Sequence, residues 1–170
     1  MKKFLIVAIA VILSAPAAFA QRYAVVDTRY IFEKMPEYKT VQKQIDDQAA
    51  IWQKELDTKQ AALDKLYSNY DAEETMMSEA IKKKKEDELF NKEKELRDLQ
   101  KKRFGFEGDL FKKRQELMEP MQKKVADAIN RLAKAGGYDL ILDKSEGKTI
   151  IFADPKLDKS EDVLRELRLK

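Results

Sequence analysis

Between Glu37 and Phe104 the apolar residues recur at alternating steps of four and three, the spacing of a helix with one dry face. Ile45, Ala49, Trp52, Leu56, Leu63, Leu66 and Tyr70 form a first series, broken by Lys59. Leu89, Leu96, Leu99, Phe106, Leu110 and Leu117 form a second, with Lys92, Arg103 and Lys113 at the intervening positions. Phe90, Phe104, Phe111 and Met118 widen that second stripe. Neither Gly nor Pro occurs from Glu37 to Phe104, and strong helix formers dominate.

The two series are out of phase by two residues, so one straight helix would turn its apolar face away partway along. An antiparallel hairpin resolves this, because the chain reverses and the two seams meet. The reversal is predicted at Asp71–Ser78, with Ser78 capping the returning helix and Glu79 in its first turn. Pro36 suits a first helical position and Pro120 closes the return, giving near-equal arms of roughly 55 to 60 Å. Gly105 and Gly108 either allow the return arm to bend or let it pack closely.

Outside the arms the period becomes strand-like. Tyr23–Val26 is a short apolar run, and Asp27 can cap a short helix Thr28–Met35. After Pro120 a helix is predicted to reach Ala135 and stop at Gly136-Gly137. Tyr138–Leu142 and Thr149–Ala153 then read as two strands of a hairpin turning at Ser145–Lys148. Asp158 or Ser160 can cap a final helix carrying Val163, Leu164 and Leu167.

Three such short strands are marginal alone. The predicted fold is therefore mainly α: a long antiparallel helical hairpin projecting from a small β body shared between subunits. Val25, Val26, Leu140, Ile141, Leu142, Ile150, Ile151 and Phe152 are the expected oligomerisation residues. The alternative is a monomer whose hairpin folds back over the sheet. The expected organisation is a leader at 1–20, a first body part at 21–35, the hairpin arm at 36–118 and a second body part at 119–170.

The leader reading rests on Lys2 and Lys3, the apolar run Phe4–Leu13 and the small-x-small site Ala18-Phe19-Ala20. That run is too short to span a bilayer, which takes about 20 residues. Export with cleavage after Ala20 is expected, the mature chain starting at Gln21. No Cys follows the apolar run, so no lipoprotein acceptor is present.

Of 170 residues, 34 are Lys or Arg and 31 Asp or Glu, with no Cys and no His. The inventory excludes disulfides, thiolate metal sites, a Cys nucleophile and a Ser-His-Asp triad. Acids such as Asp71, Glu73 and Glu74 have no pocket framework around them, and Asp27, Asp139 and Asp143 read as turn or cap residues. No enzymatic activity and no cofactor are expected. Residues 36–75 carry 5 Lys against 9 acids, whereas residues 81–103 carry 10 Lys or Arg against 6 acids. Such segments can pair with each other or present different faces to a partner.

Several segments together resemble the Skp/OmpH family of periplasmic chaperones: AVVD at 24–27, the short helix and proline at Thr28–Pro36, MSEAIKKKKEDEL at 77–89, AxxGGYDLILDK at 133–144 and TIIFADP at 149–155. The resemblance spans essentially the whole mature chain; its body segments are more specific than the Lys/Glu-rich hairpin. It implies a periplasmic homotrimer, a β body with three helical tentacles around a cavity. It also implies unfolded outer-membrane β-barrel proteins as partners, held without ATP.

A passive holder gathers affinity from many weak contacts along its arms. Expected client-facing residues are Lys82, Lys83, Lys84 and Lys85, with Lys101, Lys102 and Arg103, and Met76 and Met77 at the tip. Any single lysine reads first as a solvated helix residue paired at i,i+4, as Lys84 with Glu88; the four consecutive lysines circle the helix and cannot all be paired. The methionines can instead close the tip, and Tyr67, Tyr70 and Phe90 fit either seam or client. Transient contact with anionic lipid or lipopolysaccharide would follow from the same charge; specific nucleic-acid binding is not expected. The rival class is a coiled-coil spacer or tether, which matches the arms and leaves the β body unexplained.

Overall fold

A computed structural model describes residues 21–147 and 150–169. The expected leader and its cleavage point lie outside the described residues. The order is β1 (Tyr23–Val26), α1 (Thr28–Lys34), α2 (Pro36–Glu73), a single 3-10 turn (Glu74–Met76), α3 (Glu79–Phe104), α4 (Asp109–Gly136), β2 (Leu140–Asp143), a second 3-10 turn (Pro155–Leu157) and α5 (Ser160–Glu166). Among the described residues no helix is long and apolar enough to cross a membrane.

The hairpin forms as the out-of-phase seams require. α2 runs unbroken for 38 residues, about 57 Å. It turns at Glu74–Met76, inside the predicted reversal. Ser78 occupies the N-cap position of α3, but through its carbonyl, which accepts from Ile81 N (3.0 Å) and Lys82 N (2.9 Å). Ile45, Leu56, Leu63 and Leu89 are buried along the seam.

The return differs from expectation at two places. The helix ends at Phe104 and restarts at Asp109, so Gly105–Gly108 is a joint. Pro120 does not close the return; it lies inside α4, which runs on to Gly136. An internal proline removes one ladder bond and typically costs about 3 kcal/mol. Here Pro120 is solvent-facing, and the turns after it bury Met121, Val125 and Ala128, whose packing holds the helix together.

Those three residues build the core with Val26, Ile31, Met35, Val163 and Leu164. Asp27 caps α1 as expected, its carboxylate accepting from Tyr30 N at 3.0 Å. Gly137, at φ 60°, takes the left-handed conformation that ends α4, and Tyr138 N reaches back to Ala133 O at 3.0 Å.

β1 and β2 pair in parallel, Tyr23 beside Leu140 and Val25 beside Leu142. Parallel neighbours need a crossover, and the whole arm is that crossover. The far edge of β1 is taken by Asp158 and by Lys159 N, which donates to Val25 O at 2.8 Å.

The predicted third strand is corrected. Gly147 closes a turn onto Lys144 O at 3.2 Å, but the described part of that run, Ile150–Ala153, forms no strand. Ile151 is 97% and Phe152 83% exposed. With Ile151 and Phe152 covered by nothing among the described residues, a strand there would gain too little burial to form.

Candidate functional site

The arm is closed by polar rungs outside its apolar seam. Tyr70 Oη donates to Glu86 at 2.7 Å, and Tyr67 Oη donates to Glu93. The first bond, with partial burial and the carboxylate's charge, pushes the Tyr70 phenol up to about 12. Glu93 is held below the usual carboxylate range by Tyr67 and then by Arg97. Both tyrosines thus belong to the hairpin, whereas Phe90 is exposed.

The four-lysine run divides into two pairs. Lys85 Nζ meets Glu73 of α2 at 2.6 Å, and Lys82 lies 3.8 Å from both Glu74 and Glu79. These two fasten the tip. Lys83 and Lys84 are exposed, and among the described residues no carboxylate lies within ion-pair distance of either. The i,i+4 pairing of Lys84 with Glu88 is not formed. Met76 is 82% exposed and Met77 half-buried, so the tip presents one methionine and packs the other.

Arg103 separates from Lys101 and Lys102, with which sequence grouped it. Its guanidinium donates to Asp109 at 2.6 Å and to Glu55 at 3.1 Å, and lies 5.0 Å from the Trp52 ring centroid. Its hydrogen bond to Asp109, with the Glu55 bond, raises its pKa further. Being committed to α2 and α4, it is not a free cation; Lys101 and Lys102 are exposed and unpaired among the described residues.

Lys59 and Lys92, the seam positions where lysine replaces an apolar residue, line one groove with Leu63, Leu66 and Leu96. Its volume is about 230 Å³. Lys59 is exposed and Lys92 pairs with Glu95, another residue of the groove, at 3.1 Å, so neither ammonium is buried in the seam. Sequence reasoning registered each lysine as an interruption but did not bring them together.

Phe106, read as seam, is instead 97% exposed at the joint. The Gly-Phe-Glu-Gly spacing was the signal available for this.

The β body divides its expected interface residues by face. Val26 and Ile141 turn into the chain's own core. On the opposite face Leu140 and Leu142 are exposed beside the half-exposed Tyr23, while Val25 is covered. Ile151 and Phe152 are exposed, and Ile150 is half-buried.

Asp143 anchors this end by accepting from Thr28 Oγ1 (2.6 Å), Thr28 N (3.2 Å), Ser145 N (2.9 Å) and Ser145 Oγ (2.9 Å). Burial pushes its carboxyl up, and these bonds more than reverse that, leaving it below the usual range. Asp158 is likewise lowered: burial opposes, but Lys144 at 2.6 Å and Ser160 prevail. Both are structural, joining strands to helices.

A family description, "Outer membrane protein (OmpH-like)", matches residues 22–167. The chain is 27% identical over 170 residues to "Chaperone protein Skp" of Yersinia enterocolitica, covering 99% of this chain and 100% of that protein. It is 29% identical over 146 residues to "Chaperone protein Skp" of Photorhabdus luminescens, covering 84% and 87%. A crystal structure from Caulobacter crescentus CB15, described as an OmpH-like outer membrane chaperone, shares the fold at TM-score 0.66 and 15% identity. That match covers 88% of this chain and 83% of the other.

Proposed function

The chain belongs to the OmpH-like family, and from that premise we propose that it is an ATP-independent periplasmic holdase for unfolded outer-membrane β-barrel proteins. The observation that carries it is an arm that satisfies its own seam while leaving Lys83, Lys84, Lys101 and Lys102 exposed and without ion-pair partners among the described residues, and Phe90 and Met76 exposed on the same arm. A structural rod would pair such charges along its length. Skp relatives matched over most or all of their length support the same reading.

The client exposes apolar and aromatic side chains that aggregate in water. Dispersed weak contacts sum to capture without a committed pocket, and release needs no fuel. Leu140, Leu142, Ile151 and Phe152 supply the sticky side of a base completed by two further copies, a homotrimer whose arms enclose the client. The open edge of β2 and the exposed side chains of Ile151 and Phe152 support this assembly. The same lysines would draw phosphates of anionic lipid or lipopolysaccharide, a contact weakened by salt. Export with cleavage after Ala20 places the mature chain where these clients pass.

The test is dilution of a urea-unfolded barrel protein into buffer with and without the mature protein, followed by light scattering. Suppression near stoichiometric amounts without ATP is expected; scattering equal to that of the client alone refutes the reading.

A further inference from the structure

The joint between α3 and α4 presents an aromatic ring to solvent where the heptad would have buried it. Phe106 continues the series Leu89, Leu96 and Leu99, yet it is 97% exposed. The backbone is built for this. A Cβ at Gly105 would stand 2.3 Å from Lys101 O, and one at Gly108 2.8 Å from Lys102 O, so both positions demand glycine. Between them Glu107 takes φ 54°, the left-handed region that a non-glycine residue seldom adopts. A joint needed for bending alone would carry polar turn residues at its apex.

The joint is also held in place. Arg103 fastens α3 to Asp109 at the start of α4 and to Glu55 of α2. Phe106 is therefore displayed at a defined position on the arm. Lys101 and Lys102 lie about one helical turn before it in sequence, exposed and without acidic partners among the described residues.

We propose that Phe106 is a client anchor: it receives aromatic or aliphatic side chains of an unfolded acidic polypeptide, with Lys101 and Lys102 supplying the charge complement. The inference rests on the holdase reading and gives it a specific contact that the tip lysines do not provide. Arg103 is a positioning residue for this anchor and does not touch the client.

The test uses the mature protein, its Phe106→Ser and Phe106→Leu variants, and a urea-unfolded, dye-labelled outer-membrane barrel protein. Serine should weaken binding by about three- to tenfold, and leucine should restore it to within about twofold of wild type. Melting temperature and oligomer mass should not change, since Phe106 supports nothing inside this chain. A photo-crosslinking residue at position 106 should give an adduct with the client. Equal affinities for wild type and Phe106→Ser overturn this inference while leaving the holdase reading standing. An adduct solely between copies of the chain, or a fall in oligomer mass with serine, overturns it in favour of a subunit contact. If wild type itself does not bind the client, both readings fall together.

Discussion

The guanidinium of Arg103 lies 5.0 Å from the ring centroid of Trp52, across the gap between α3 and α2. Trp52 is the single tryptophan of the chain, so tryptophan emission reports on the surroundings of this one ring. Arg103 also bonds Glu55 and Asp109, which places one side chain at the meeting of three helices.

Arg103→Met should therefore shift Trp52 emission to the red and lower the melting temperature by several degrees, because Glu55 and Asp109 lose a shared partner. Fluorescence and thermal melting on one sample check both. Arg103→Lys should recover little, since an ammonium cannot make the forked contact and stack at once.

Leu63 is buried in the seam, whereas Ile51, on the same helix, is exposed. Leu63→Ala should cost about 2 kcal/mol or more, and Ile51→Ala no more than about 0.5 kcal/mol. Denaturant titration followed by helical circular dichroism measures both.

How far the sequence foretold this arm can be read from particular residues. Two apolar series with incompatible phases demand a reversal, and it occurs between Glu73 and Glu79 because periodicity is a geometric constraint. Asp27 capping and the Gly136-Gly137 stop were legible for the same reason: they depend on near neighbours. Pro120 misled because a proline's effect depends on what the following turns bury, here Met121, Val125 and Ala128. The strand expected at Thr149–Ala153 does not form over its described residues, Ile150–Ala153, where Ile151 and Phe152 stay exposed. Phe106 left the seam because the Gly105–Gly108 joint breaks the helix there, so spacing no longer says which way its side chain points. Arg103 lies before the joint, at the seam position its spacing gives it, but its bonds to Glu55 and Asp109 are tertiary contacts that spacing does not encode.

The tip lysines give a selective charge test. Lys83→Glu with Lys84→Glu should leave helicity and melting unchanged, because neither lysine has a partner to lose among the described residues. Capture of unfolded barrel protein should weaken several-fold at low salt, the difference fading at about 1 M where screening is complete within about 3 Å. The pair Lys82→Glu and Lys85→Glu should instead loosen the tip, since Glu73 and Glu74 are their partners.

Acid should act on the body. Asp143 and Asp158 titrate below their ordinary values in the fold, so their stabilisation is complete above the unfolded carboxylate range, near pH 4. It is lost as pH falls through the lower folded values. Lys144 is raised, so its contribution holds below its unfolded value near 10.4 and disappears at more alkaline pH. With no histidine in the chain, side chains should add almost no pH dependence between about pH 5 and 8. Melting temperature against pH should show a plateau there and a fall below about pH 4; a step near pH 6.5 would contradict this.

The most direct test of the whole account is the mass of the mature protein alone and with one unfolded barrel protein, by light scattering coupled to size exclusion. The account predicts three copies, a hydrodynamic radius well above that of a compact sphere of equal mass, and a complex in which that trimer carries the client. A compact single copy that forms no complex would contradict it.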